Sequence, residues 1–110
     1  MSGTKHDQGK PDLTLLDRIA MEEVARVLMK GAEKYGRLNW QKGIDKERLL
    51  AAALRHIMAS NDGELKDPEF GTSHLAHAIC GLMFALHFEV KNAKNLLSET
   101  QRTHSISGDL

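Results

Sequence analysis

At 110 residues the chain is long enough for one small domain with a modest core. Fifteen basic residues balance fifteen acidic ones, which argues against a protein built mainly to grip a nucleic-acid backbone. The single cysteine, Cys80, excludes an intramolecular disulfide; set in an apolar helical run, it reads as a buried, inert thiol in a reducing, cytoplasmic compartment.

Residues 1–10 are polar and contain two glycines, the pattern of a flexible arm, and they lack the apolar core of a signal peptide. Lys5 and Lys10 in this arm could close over phosphates. Asp12 and Asp17 are candidate caps near Pro11. From Arg18 to Tyr35 the pattern is helical: at about 100° per residue, Ala20, Val24, Val27, Leu28 and Gly31 gather on one side and Arg26, Lys30 and Lys34 on the other. Glu22 is set to pair with Arg26 at i+4, whereas Glu23 stands at the edge of the apolar face, where a carboxylate could hold a metal. Gly36 supplies the stop.

The segment 35–44, YGRLNWQKGI, reads as a loop. Trp40 and Tyr35 amid Lys34, Arg37 and Asn39 would suit a nucleotide seat: an aromatic ring to stack on the base, Asn39 to read its edge, and Lys34 or Arg37 to meet phosphate. The competing reading of equal weight has Trp40 plugging the core. A second helix should start from Asp45 and run to about Ser60, burying Leu50, Ala53, Leu54, Ile57 and Met58, with Asn61-Asp62-Gly63 as its end. Arg55-His56 lies off that stripe, and a guanidinium beside an imidazole suits an anion.

GELKDPEFGTSHLAHA, residues 63–78, places Glu64, Asp67 and Glu69 ahead of His74 and His77, which share a helical face. Carboxylates of this loop would suit Mg²⁺, a hard cation that prefers oxygen. The histidines could instead bind a transition metal, a phosphate, the carboxylates or each other. Thr72 or Ser73 should cap a third helix running to about Leu97, followed by a polar tail over 99–110. Leu75, Ile79, Leu82, Met83, Leu86 and Val90 form one stripe of it; Ala78, Gly81, Ala85 and Phe88 form another. A helix apolar on both sides needs two partners. The expectation is therefore a single all-α domain of about three main helices completed by homodimerisation. His87 and Glu89 interrupt the best candidate for a membrane span.

Four stretches in order, KHDQGKPDLTLL, EEVARVLMKGAEKYGRLNW, LAAALRHIMA and GELKDPEFGTSHLAHA, resemble phage-encoded proteins of the dATP/dGTP diphosphohydrolase-like family, near the all-α MazG pyrophosphohydrolases. The resemblance covers residues 5 to about 88. It implies an obligate helical dimer or larger assembly, a purine nucleotide substrate, Mg²⁺, and water attack on the α-phosphorus to release a monophosphate and pyrophosphate. MazG enzymes generally carry E-E-x-x-E on one helix and E-x-x-D on a later one. Here Arg26 takes the last place of the first motif, and His74 and His77 take both acidic places of the second. Glu23 and Asp67 are then the candidate catalytic residues. Glu23, Glu64, Asp67 and Glu69 are the candidate metal ligands. Lys10, Lys34, Arg37, Asn39, Trp40, Arg55, His56, His74 and His77 are the candidate substrate contacts. The alternative function is a non-catalytic phage nucleotide-binding protein that sequesters a host immune signalling nucleotide, an anti-defence role. A third reading is a helical interaction module with interfacial histidines.

Overall fold

Local chemistry fixes the ends of the first helix. In a computed structural model, which describes residues 8–102 and side chains as far as residue 97, α1 spans Arg18–Tyr35. The Asp17 carboxylate accepts from the Ala20 N–H at 2.8 Å, filling one of the amides that a helix start leaves open. Gly36 ends α1 at φ +96°, with its N–H on the Ala32 carbonyl. Ahead of α1, Asp12 caps a 3-10 turn at Leu13–Leu15 through the amide and hydroxyl of Thr14. Residues 1–7 of the expected 1–10 arm and residues 103–110 of the expected 99–110 tail lie outside the described residues.

The loop expected between the first two helices contains a 3-10 turn, Asn39–Lys42, entered through Leu38 at φ +58°. A branched side chain in the left-handed region is held there by its surroundings at a cost on the order of 1 kcal/mol. α2 follows at Lys46–Asn61, with Asp45 at its N-cap position but without a side-chain cap bond. α3 runs His74–Arg102, further than the expected end near Leu97. The residues after Leu97, SETQR, contain neither Gly nor Pro, so nothing local halts the helix there. Among the described residues the only β-type pairing is one isolated bridge, Lys66 to Ser73. The protein is a small all-α fold.

α3 is the common support: α1 packs on one side of it and α2 on another. Val27 of α1 meets Ala76 and Cys80, with Val24, Leu28 and Phe84 around them. Against α2 the α3 stripe is made of small residues. A Cβ on Gly81 would come within 3.4 Å of the Leu49 carbonyl and 3.8 Å of the Ala53 methyl, so the two backbones can approach closely only because these residues are small. Leu49, Ala53, Ala78 and Ala85 are all buried. Among the described residues nothing covers the large stripe of α3. Leu75, Ile79, Leu82, Leu86 and Val90 are all exposed, Leu86 by 58%. On α2, Leu54, Ile57 and Met58, expected inside, are exposed as well, because the helix turns Leu49, Ala53 and His56 toward α3 instead.

Exposed ion pairs decorate this frame. Arg18 pairs with Glu22 at 2.8 Å and Arg26 with Glu23 at 3.1 Å, in place of the expected Glu22–Arg26 pair. The Glu22 carboxylate reaches back one turn to Arg18, which leaves Arg26 to its i−3 neighbour. Pairs this exposed add little to stability.

Candidate functional site: a histidine cluster beside an apolar cleft

The acidic loop is tightly built. Gly63 and Gly71 take positive φ at its two ends. The Asp67 N–H donates to the Thr72 carbonyl at 2.7 Å, and the His74 N–H donates to the Leu65 carbonyl at 2.9 Å. Asp67 Oδ1 accepts from the amides of Glu69 (2.8 Å) and Phe70 (3.0 Å), a side-chain turn typical of an Asp followed by Pro. These bonds fold the loop back on the start of α3, where the Ser73 hydroxyl accepts from the Ala76 N–H.

Three imidazoles meet at this point. His56 comes from α2; His74 and His77 come from the first turn of α3. His56 Nδ1 and His74 Nδ1 are 2.9 Å apart, and the second nitrogen of His74 donates to Glu64 Oε1 at 2.7 Å. His77 lies stacked on His56 with ring centroids 4.6 Å apart, and its Nε2 shares a 2.7 Å hydrogen bond with the Thr72 hydroxyl. His74 is buried, while His56, His77 and Asp67 are half-buried. Every fully buried side-chain nitrogen or oxygen among the described residues has a partner.

A carboxylate at neutral pH only accepts, so Glu64 fixes the proton of a neutral His74 on Nε2 and leaves Nδ1 a bare lone pair. Burial lowers the pKa of His56 below that of a free imidazole, and the neighbouring His77 and His74 add to the effect against the pull of Asp67. Burial lowers His77 similarly, opposed by Asp67. For Asp67 itself burial works upward, but the Phe70 and Glu69 amides and the two imidazoles outweigh it and hold the carboxyl below its usual range. At neutral pH the cluster thus consists of an ionised carboxylate and two imidazoles biased to the neutral form.

Beside the cluster lies an apolar cleft of about 600 Å³ between α1 and the 36–44 crossing. Leu28, Ala32, Tyr35, Trp40, Phe70 and Phe84 are among its walls, and its size is that of a small-molecule pocket. Trp40 lines it while stacking on Phe84 at 4.4 Å, with His87 and Phe88 edge-on. One ring thus both packs against α3 and lines the cleft. Phe70 connects cleft and cluster: it lines the former and stacks on His77 of the latter at 5.6 Å. Lys34 sits 5.5 Å over the Phe70 ring and 3.2 Å from the Glu69 carboxylate. A second cleft of about 610 Å³ shares Tyr35, Asn39 and Ile44 with the first and carries Arg48 and Arg55.

The residues singled out from sequence are distributed accordingly. Glu64, Asp67, His56, His74 and His77 come together. Lys34, Glu69, Arg37, Asn39 and Trp40 stand around the clefts, and Arg55 lines the second one beside Arg48. Lys10 is exposed next to Pro11. Glu23, bonded to Arg26 on α1, is not in the cluster, and the structure does not assemble Glu23, Glu64, Asp67 and Glu69 into one site. The one group of three or more metal-capable side chains among the described residues is His56, Asp67 and His74. Phe70 and Arg48 escaped the sequence reading. The D-P-x-F turn was the available signal for Phe70, and the i, i+7 spacing of Arg48 and Arg55 the signal for a shared face.

A family model described as "dATP/dGTP diphosphohydrolase, N-terminal" matches residues 1–97. The chain belongs to this family. A dATP/dGTP diphosphohydrolase of Salmonella phage PMBT28 is 52% identical over 84 residues, which are 76% of this chain and 29% of that protein. The chain thus spans less than a third of this curated relative. No solved structure matches it. All five cluster residues (His56, Glu64, Asp67, His74 and His77) and the Asn39–Trp40 crossing fall within the span that the family model covers.

Proposed function

We propose that this domain binds a purine deoxynucleoside triphosphate, with the base in the apolar cleft and the phosphates running past Phe70 to the histidine cluster. The reaction is hydrolysis at the α-phosphorus. Water adds its oxygen there, the bond to the bridging α–β oxygen breaks, and the products are a deoxynucleoside monophosphate and pyrophosphate. The observation that supports this reading is the continuity through Phe70, which borders the cleft and stacks on His77 at 5.6 Å. A ligand with an apolar flat end and an anionic end fits such a site. The family description and the printed name of the phage relative agree with a diphosphohydrolase.

In this proposal Asn39, which lines both clefts, reads the base edge, and Lys34 neutralises phosphate after releasing Glu69. Asp67, kept ionised by two amides, is the carboxylate at the reacting end. The acidic-loop carboxylates Asp67 and Glu69 would hold Mg²⁺, and the ion would supply neutralisation of charge on the triphosphate. The uncovered α3 stripe is assigned to a second copy of the chain, giving a homodimer that leaves the cluster on the opposite, α2-facing side.

The reading is tested by incubating the domain with dGTP or dATP and Mg²⁺ and assaying pyrophosphate. Release of pyrophosphate and monophosphate in equal amounts is expected. Release of orthophosphate would contradict it. Retention of nucleotide without cleavage would favour the sequestering alternative, for which the replacement of MazG carboxylates by Arg26, His74 and His77 speaks.

A further inference from the structure

We infer that His56, His74 and Asp67 form a binding site for a divalent first-row transition ion, one that stitches α2, the acidic loop and the start of α3 together. The inference does not rest on the nucleotide reading. One ligand atom from each of the three residues lies within 4.8 Å of the other two. The two Nδ1 atoms, the nitrogens proposed as ligands, are 2.9 Å apart. Two nitrogens bound to one ion at about 2.0–2.1 Å stand about 2.8–3.4 Å apart at right or tetrahedral angles, so this pair already has the spacing of co-ligands.

The surroundings add the outer shell that such a site requires. A metal-bound imidazole ordinarily donates its other N–H to a carboxylate, which fixes the tautomer and raises its basicity. His74 does this through its 2.7 Å bond to Glu64, leaving Nδ1 as the free lone pair. Asp67 is oriented in turn, because the Glu69 and Phe70 amides both hold Oδ1 and leave Oδ2 for an ion. His77, stacked flat on His56, braces that ring. The donor set selects the class of ion. Two imidazoles with one carboxylate suit zinc, cobalt, nickel or iron, whereas Mg²⁺ asks for oxygen ligands. Three protein ligands also leave a coordination position open for a small molecule.

Without an ion, the two Nδ1 atoms would share one proton, in a chain running from Glu64 through His74 to His56. The experiment separates these states on the full chain, stripped with a chelator and free of nucleotide. Titration with Co²⁺ should saturate at one ion per chain, with the visible absorption of a low-coordinate cobalt site. Zn²⁺ should displace the Co²⁺, and millimolar Mg²⁺ should not. His56→Gln and His74→Gln should each weaken binding at least tenfold. Glu64→Gln should weaken it about 10–100-fold without removing a ligand. Glu89→Gln, at the exposed Lys46 pair, should leave it unchanged. Because the histidine variants could fold poorly, the imidazole ¹⁵N spectrum of the unmutated chain provides an independent readout. On adding Zn²⁺, the Nδ1 signals of two histidines should move to metal-bound positions. No Co²⁺ binding, equal affinity in His56→Gln and His74→Gln, displacement by Mg²⁺, or unmoved Nδ1 signals would each overturn the inference. None of these outcomes depends on whether the chain cleaves dGTP.

Discussion

The two faces of α3 start from the same turn and end up with opposite characters. The face toward α2 carries His74, His77, Ala78, Gly81 and Ala85: polar groups with fixed partners at the helix start, then residues small enough for close contact. The other face carries Leu75, Ile79, Leu82, Leu86 and Val90, large and uncovered. The inner face has little tolerance for change and carries the proposed site. The outer face has apolar area that none of the described residues covers, which is why a second copy is proposed there. One helix thus separates the site from the surface assigned to assembly.

Substitutions can sharpen or break this contrast, beginning with the greatest effect on the stability of one chain. Gly81→Leu pushes a side chain against the Leu49 carbonyl and the Ala53 methyl, and should cost about 1–3 kcal/mol or more. Denaturant melts would show it; an unchanged midpoint would mean that α2 and α3 are not in close contact. His74→Leu removes the partner of the half-buried His56 Nδ1, while the exposed Glu64 turns to water, and should cost about 1–3 kcal/mol in the same assay. Leu82→Glu on the outer face should change the stability of the isolated chain by no more than about 0.5 kcal/mol. Sedimentation should nevertheless show it shifting dimer to monomer. If instead it unfolds the chain and leaves the mass unaltered, the outer face is not an assembly surface. Lys34→Met, at an exposed pair, should leave thermal stability unmoved while weakening nucleotide binding.

Acid provides a further check on the inner face. His56 and His77 have folded-state pKa values below that of a free imidazole, so the unfolded chain binds more protons as pH falls through the ordinary histidine range. Their contribution to stability is therefore full above about pH 6.5 and is lost as pH drops through the folded values. The melting temperature of metal-free protein should fall between pH 7 and 5, and less so in a His56→Gln, His77→Gln variant. Asp67, lowered as well, adds loss only at more acidic pH.

Much of the frame was legible in sequence because it is set locally. Asp17 and Gly36 bound α1, and the small stripe of α3 marks a close contact. What periodicity could not supply was pairing across the chain. His56 and His74 are eighteen residues apart, and their meeting depends on α2 facing α3 along Leu49 and Ala53 rather than along Leu54 and Ile57. Phe70 is placed by a side-chain turn at Asp67, which the D-P-x-F pattern signals but hydrophobic periodicity does not. Trp40 looked like either packing or binding because it touches Phe84 and the cleft at once.

The polar cluster on the inner face of α3 is proposed as the reacting end of a purine nucleotide site. Pyrophosphate release from dGTP, compared between the unmutated chain and Asp67→Asn at equal dimer content and equal melting temperature, tests it most directly. A fall in turnover of at least a hundredfold with nucleotide still bound is the predicted result. Equal turnover in the two proteins would remove Asp67, and with it the cluster, from the reaction.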